Sequence, residues 1–479
     1  MTYRELCEKS DNLAAYLDSR LEGSKTPVVV YGHKDPYMLV CFLACVKSGR
    51  AYCPVDISVP AERIKDIIEV TKSPVILAVN PLPFNTSDVM DLNKIKDESH
   101  THKTALSKDK YVGSDDIFYI IFTSGSTGKP KGVCITEDCL YNFVNWAVTL
   151  TNINPLNKKT VFLNQAPFSF DLSVMDLFLS LYTGGTLFCL DKTTQTNPTA
   201  LMSALQASNA EVWVSTPSFA NLCLAYNVFD SALMPNVDTF LFCGETLTNN
   251  TAKSLLERFP KAKVVNTYGP TESTVAVTGV EITSELCEKQ SPLPVGRAKK
   301  GTKIIIADSN GTPLSDGQCG EIIIAGDSVA KGYFASKEQT EKCFFTYGSD
   351  DKEERAYKTG DAGYLENGML YYGGRIDLQV KLHGYRIEMG DIESNLMKIP
   401  GIKNAVVVYV EKENSEDFLA AFITPKPENE STLKASVAIK KALAAYLPAY
   451  MIPKKFVFVD EIPMTNNGKA DRVKLKKLI

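Results

Sequence analysis

Histidine is scarce in this chain: four of 479 residues, His33, His100, His102 and His383. That scarcity argues against a histidine-built metal centre and against a Ser-His-Asp triad. The twelve cysteines include no Cys-x-x-Cys pair and no metal-ligand spacing. Most lie in apolar runs, as Cys41 and Cys45 do, and read as reduced core thiols of a cytosolic protein. Long hydrophobic runs are missing too. The longest, Tyr37 to Val46, falls far short of the ~20 residues that span a bilayer. The start, Met1 to Leu13, is polar and charged, unlike a signal peptide. No internal repeat or low-complexity tract occurs. Strong net charge is absent as well: a value of −4 argues against nucleic acid as the main partner.

What is present is ordinary for a folded, water-exposed protein: 44% hydrophobic and 23% charged residues. The length implies two or more domains. Charge is uneven along the chain. Residues 378–479 carry 16 Lys+Arg against 12 Asp+Glu, whereas 1–377 carry 36 against 44. A basic tail piece could receive an acidic partner, although charge alone equally describes a solvated surface.

Strands and helices alternate through the first half. The pattern predicts helices over 3–19 (Tyr3, Leu6, Leu13 and Leu17 on one side), 35–49 and 60–71, and strands over 27–31, 51–56 and 75–79. Residues 80–115 are polar and expected to be loop-rich. The alternation resumes with helices over 137–150, 172–182, 198–207 and 248–258. Its strands are expected over 160–164, 186–190, 211–214, 239–243 and 263–267. Such alternation implies parallel α/β sheets with right-handed crossovers. From Leu293 short strands separated by Asn310-Gly311, Asp316-Gly317 and Asn367-Gly368 suggest an antiparallel, barrel-like portion. The last hundred residues mix helices and strands as a small α+β piece.

One stretch organises the chemistry. The apolar run Ile117 to Phe122 reads as a buried strand, and Thr123-Ser124-Gly125-Ser126-Thr127-Gly128-Lys129-Pro130-Lys131-Gly132 leaves it. Glycines allow close backbone approach, hydroxyls and amides donate to phosphate oxygens, and lysines supply charge. A Walker loop would need glycine at Thr123 and Ser/Thr at Pro130. This string resembles the phosphate-binding loop of the adenylate-forming enzymes, a superfamily that includes acyl-CoA synthetases, luciferases and peptide-synthetase adenylation domains. The resemblance implies that Thr123, Ser124, Gly125, Ser126, Thr127, Gly128 and Lys131 contact ATP.

Further strings carry the same resemblance. Asn266-Thr267-Tyr268-Gly269-Pro270-Thr271-Glu272 follows a predicted strand. In the resembled family Tyr268 stacks on adenine, Thr271 meets the α-phosphate and Glu272 helps hold Mg²⁺, with Asn266 and Gly269 lining the same ATP site. A flat ring, a hydroxyl and a carboxylate suit those tasks. By the same resemblance Asp361, in Tyr357-Lys358-Thr359-Gly360-Asp361, accepts from the ribose hydroxyls, a role suited to an acceptor-only group. Arg375 contacts ribose or phosphate, Asp377 is the hinge, and Lys381 to Arg386 faces the site only in a second half-reaction. Lys469, in Thr465-Asn466-Asn467-Gly468-Lys469, is the catalytic lysine between substrate carboxylate and α-phosphate. Cations must offset the repulsion there.

Phe168-Ser169-Phe170-Asp171-Leu172 bears on the substrate. In amino-acid-activating members the Asp171 position pairs with the ammonium; an acyl substrate would leave that charge uncompensated. Asp171 also suits a helix N-cap. The pocket implied by the resemblance comprises Asp171, Leu172, Met175, Ser218, Leu241, Cys243, Thr267, Val275 and Ala276, with Lys469. Its apolar and small residues suit a methyl-sized side chain. The strings Asn164-Gln165-Ala166-Pro167, Thr216-Pro217-Ser218-Phe219, Phe242-Cys243-Gly244-Glu245 and Leu447 to Pro453 bring the resemblance, over nearly the whole chain, to the D-alanine-activating branch.

That branch implies ATP and Mg²⁺, D-alanine as substrate, and a phosphopantetheinylated D-alanyl carrier protein as partner. It also implies a cytoplasmic setting without membrane insertion, and D-alanine destined for lipoteichoic acid. The expected fold is a large N-terminal domain of parallel α/β sheets plus a small antiparallel barrel-like portion (1–376) and a small C-terminal α+β lid (377–479). Family members usually carry roughly one more helix and strand ahead of Thr2 to Leu6. Two other readings stay open: a peptide-synthetase adenylation domain for another small amino acid, and a nucleotide-binding sensor. The presence of Glu272, Asp361, Arg375 and Lys469 disfavours the sensor.

Overall fold

The computed structural model describes the chain except residues 102–104, 125–129, 154–159, 349–352, 377–378, 383, 413–416, 426–430 and 465–469. The chain divides into two compact units: one of Met1–Asp56, Thr71–Phe122 and Gly132–Ile376, the other of Ile57–Val70, Thr123–Lys131 and Asp377–Ile479.

In the first unit the expected alternation yields two seven-stranded sheets. One runs Gly332–Tyr333, Lys131–Thr136, Ile117–Thr123, Tyr52–Val55, Val28–Tyr31, Ile76–Ala78, Val89–Asp91. The strands Val28–Tyr31 and Tyr52–Val55 are buried at every position, as runs covered on both faces must be. The helices form where caps permit. Thr2 and Glu5 make a capping box for Tyr3–Arg20. Asp35 accepts from the Tyr37 amide ahead of Pro36–Lys47, which starts on its proline. Leu6, Leu13 and Leu17 are buried as expected, whereas Tyr3 is exposed and donates its hydroxyl to the Ser180 and Gly185 carbonyls.

The second sheet runs Arg297–Ala298, Thr278–Ile282, Lys263–Tyr268, Thr239–Phe242, Val212–Ser215, Val161–Asn164, Thr186–Cys189. Its last five strands are parallel, and Thr278–Ile282 closes it antiparallel. One continuous core cluster joins residues of both sheets, among them Val28, Tyr119, Leu172, Met175, Leu241 and Val265. The antiparallel portion follows: Thr302–Ala307, Gly320–Gly326, Glu354–Glu366 and Phe344–Tyr347 in order, with Met369–Arg375 also paired to Glu354–Glu366.

Residues 80–115 depart from expectation. They hold the strand Val89–Asp91 and the helix Leu92–Thr101. The strand buries only Met90 and the helix only Ile95 and Ser99, too few apolar positions to show a period.

In the second unit, Asn404–Val410, Phe418–Thr424 and Lys455–Phe458 form a three-stranded sheet. Helices Met389–Leu396 and Thr432–Leu443 add Ile392, Leu396, Ile439 and Leu443 to its core. The Gln379–Leu382/Tyr385–Glu388 hairpin contributes Val380 and Ile387 to the same core. No helix among the described residues is long and apolar enough to cross a membrane.

Candidate functional site

Neighbouring parallel strands of the second sheet all release functional candidates from their carboxyl ends, the edge where open α/β sheets place ligands. Val161–Asn164 leads into Phe168 to Asp171, and Val212–Ser215 into Ser218. Thr239–Phe242 leads into Cys243, and Lys263–Tyr268 into Gly269 to Ala276. Register aligns these ends: Phe242 lies opposite both Ser215 and Asn266.

The nucleotide candidates form one polar cluster. Asp361 and Arg375 are directly opposed on adjacent antiparallel strands. The guanidinium donates to Asp361 Oδ1 at 2.9 Å and to the Thr359 carbonyl at 2.9 Å. The Tyr268 hydroxyl donates to Asp361 Oδ2 at 2.6 Å. Burial, then the Asp361 charge, pushes the Tyr268 phenol well above its ordinary value, so the ring stays neutral and donating. Asn266 is oriented by its Nδ2, which donates to the Pro294 carbonyl at 2.8 Å. Its Oδ1 is buried with no hydrogen-bond partner among the described residues. A buried acceptor of that kind requires a donor.

Glu272 is nearly fully buried, and its Oε1 accepts from the Tyr333 hydroxyl at 2.7 Å. No group of three or more His, Cys, Asp or Glu able to hold a metal occurs among the described residues. A single oriented carboxylate would suffice for Mg²⁺, an ion that usually draws its other ligands from phosphate oxygens and water.

At the amino-acid end Asp171 precedes the helix Leu172–Thr183 but makes no capping hydrogen bond. Its Oδ2 accepts instead from the Thr271 hydroxyl at 2.7 Å. The candidate partner of a substrate ammonium and the candidate phosphate-reading hydroxyl are therefore in contact. Leu172, Met175, Leu241, Cys243, Val275 and Ala276 all belong to the main core cluster. The Thr267 hydroxyl donates to the Phe242 carbonyl, and the Ser218 amide to Glu245. The Cys243 thiol donates to the Val275 carbonyl at 3.5 Å. Thr274 and Val275 both have positive φ, 59° and 67°, a conformation costing about 1–3 kcal/mol per residue for side chains of this kind. Gly269 permits the chain to close here: a Cβ would stand 2.6 Å from the Ala276 Cα.

In the second unit Thr123 ends its strand and Ser124 is buried. The Ser124 hydroxyl donates to the Arg386 carbonyl at 2.7 Å and accepts from the Glu388 amide at 3.3 Å. Lys131 Nζ is 3.9 Å from Glu388, and Arg63 pairs with Asp391 at 3.1 Å. Gly125, Ser126, Thr127, Gly128, Asp377 and Lys469 lie outside the described residues. Met464 and Ala470, which flank residues 465–469 in sequence, form an antiparallel bridge.

Sequence reasoning missed three features. Lys34, with φ 43°, is half-buried, its ammonium on Asn164 Oδ1 and the Ala166 carbonyl. Asn164 in turn donates to Asp176 at 2.7 Å. Burial holds the Lys34 ammonium below its ordinary value and pushes Asp176 up to about 8. Tyr333 and Thr274 are the others. Only the lysine carried a signal, a charge in the turn between a buried strand and an apolar helix.

The AMP-binding enzyme model matches residues 1–334, and the AMP-binding enzyme C-terminal domain model matches 391–469. The chain is 48% identical over 482 residues to a D-alanine–D-alanyl carrier protein ligase of Bacillus cytotoxicus, covering 99% of this chain and 94% of that protein. It shows the same identity over 481 residues, with the same coverage, to a protein of that name from Bacillus anthracis. Among solved structures it is similar to holo-PA1221, an NRPS protein containing adenylation and PCP domains bound to a vinylsulfonamide inhibitor. That match has a TM-score of 0.84 and 26% identity, covering 100% of this chain and 80% of that one.

Proposed function

We propose, for a chain that belongs to the AMP-binding enzyme family, that it joins D-alanine to AMP and then passes the D-alanyl group to the phosphopantetheine thiol of a D-alanyl carrier protein. That thioester serves D-alanylation of lipoteichoic acid. The observation that carries the amino-acid assignment is Asp171. Its carboxylate does not cap its own helix but meets Thr271, beside Glu272, where an ammonium and a phosphate would be read together. The identity of the amino acid rests on the full-length likeness to ligases of that name.

In this reading Asn266 Oδ1 accepts from the adenine amino group, Asp361 accepts from ribose and Arg375 holds that carboxylate in place. Thr271 turns its hydroxyl from Asp171 to donate to the α-phosphate, which frees Asp171 for the ammonium. Thr123, Ser124, Lys131 and the glycine loop cradle the departing pyrophosphate. Mg²⁺, held by Glu272 and phosphate oxygens, would offset negative charge on the phosphates. Asp171 and Lys469 fix the ammonium and carboxylate of D-alanine. A carboxylate oxygen attacks the α-phosphorus and the bond to pyrophosphate breaks. In the second step the carrier's sulfur attacks the alanyl carbonyl carbon, AMP leaves, and the thiol proton goes to solvent.

We further propose that residues 377–479 move as a lid about Asp377 between the two steps. Asp377→Pro fixes φ; it should spare pyrophosphate exchange and impair transfer to the carrier. Unimpaired transfer would remove Asp377 as the hinge. The activity itself is tested by ATP–pyrophosphate exchange with D-alanine, L-alanine and glycine. Preference for D-alanine supports it, and preference for L-alanine leaves the peptide-synthetase reading in its place.

A further inference from the structure

We propose that Thr274 sets amino-acid selectivity as a positioning residue, by holding a strained turn that forms one wall of the side-chain pocket. The proposal rests on the reading of Val275 and Ala276 as pocket residues. Thr274 touches neither substrate in that reading; it acts through the two residues that follow it.

Three hydrogen bonds define the turn. The Ala276 amide donates to the Thr274 carbonyl at 2.8 Å. With Val275 at φ 67°, this bond between residues two apart describes a γ-turn of the rare, strained kind. The Cys243 thiol holds the Val275 carbonyl at 3.5 Å. The Thr274 hydroxyl donates to the Ser328 carbonyl at 2.8 Å. Thr274 and Ser328 are both almost completely buried, so no water competes for that bond.

Two consecutive β-branched residues at positive φ run against their own preference. Such a conformation persists only where its surroundings over-determine it. The surroundings here are a strap, residues 327–333, that fastens the same segment at several points. The Ala330 amide donates to the Glu272 carbonyl, and Tyr333 to the Glu272 side chain. Asp327 is held by the buried Lys299 ammonium. The Thr274 hydroxyl is the side-chain bond that this segment itself sends to the strap. Gly269 in turn lets Ala276 approach without a clash. The turn is thus packed on Gly269 and tied to the strap, and Thr274 fixes its depth. A pocket for a methyl discriminates by the volume left at one or two places, so a small relaxation of the turn changes which substituent fits.

The test uses three variants of the full chain in ATP–pyrophosphate exchange. Thr274→Val keeps shape and loses the hydroxyl. Thr274→Ser keeps the hydroxyl. Thr274→Gly adopts positive φ without strain but has no tether, and covers the case in which the valine variant does not fold. The valine and glycine variants should raise KM for D-alanine about tenfold and narrow its preference over glycine and L-alanine by a similar factor, the scale of one misplaced methyl. KM for ATP should stay within about twofold, well below that scale. The serine variant should restore the wild-type ratios. An unchanged preference in both the valine and glycine variants, or KM values for ATP and amino acid that rise together without rescue by serine, would overturn the proposal. If wild type prefers an amino acid other than D-alanine, the proposed function fails. The role of Thr274 is then read from the same ratios for the amino acid that wild type prefers.

Discussion

The two proposed recognition ends of the first unit are built on different physics. At the nucleotide end, side-chain charge does the fixing. Asp361 and Arg375 face each other in strand register, and Tyr268 closes the second carboxylate oxygen. At the proposed amino-acid end Asp171 is a charged anchor too, but the side-chain pocket beside it is set by backbone shape: a γ-turn at Thr274 to Ala276, packed on Gly269 and tied to Cys243. A charged cluster recognises through donors and acceptors and loses a defined contact when one partner is removed. A shaped wall recognises through volume, and a change of a few tenths of an ångström alters its preference rather than abolishing binding.

The largest expected effect lies in neither end but in the cation between the reacting anions. Lys469→Ala should lower adenylation by about 10²–10³-fold, the loss typical for removing one electrostatic stabiliser. Transfer from pre-formed D-alanyl-adenylate should continue, because the attack on phosphorus is then over. Single-turnover assays of each step decide it, and equal loss in both contradicts the assignment.

Next come the two carboxylates, which should separate the ends cleanly. Asp171→Asn removes the ammonium's partner and should weaken D-alanine by about 2 kcal/mol with KM for ATP little changed. Asp361→Asn should do the reverse, raising KM for ATP. If both variants raise both constants alike, the two ends are not independent and the comparison fails.

Cys243→Ala probes shape alone. It trims the wall and removes the thiol that holds the Val275 carbonyl, so the preference for D- over L-alanine should shrink by roughly tenfold, through improved use of L-alanine. An unaltered preference would assign Cys243 to packing only.

The smallest effect is on stability. Asp176 sits on the helix Leu172–Thr183, behind the amino-acid end, and burial raises it from 3.8 to about 8. Its folded value lies above its unfolded one, so its stabilising contribution is full below about pH 4 and is lost as pH rises through about 8. The thermal midpoint of the wild type should fall more steeply between about pH 4 and 8 than that of Asp176→Asn. Parallel curves would mean that Asp176 is already ionised at neutral pH.

The two ends also differed in how readable they were. Asn266 to Glu272 and Tyr357 to Asp361 could be picked out by their resemblance to motifs of the adenylate-forming enzymes; taken alone, Tyr268-Gly269-Pro270 reads as a plain turn. The parallel strands were legible as unbroken apolar runs. The strand Val89–Asp91 and helix Leu92–Thr101 were not, because they bury so little. The strand Lys131–Thr136 was hidden by its lysine and glycine, which read as loop. Least legible was the turn at Thr274. Threonine and valine favour extended backbone, so local preference pointed away from the conformation they adopt, and the tether that enforces it comes from Ser328, more than fifty residues on.

The central claim is that this chain makes a D-alanyl thioester on a carrier. Intact mass of the carrier, after incubation with the enzyme, ATP, Mg²⁺ and D-alanine, tests it most directly. The account predicts one added alanyl group on the phosphopantetheinylated carrier, none on the unmodified carrier, and markedly less with L-alanine. No addition with D-alanine, or equal addition with L-alanine, would contradict it.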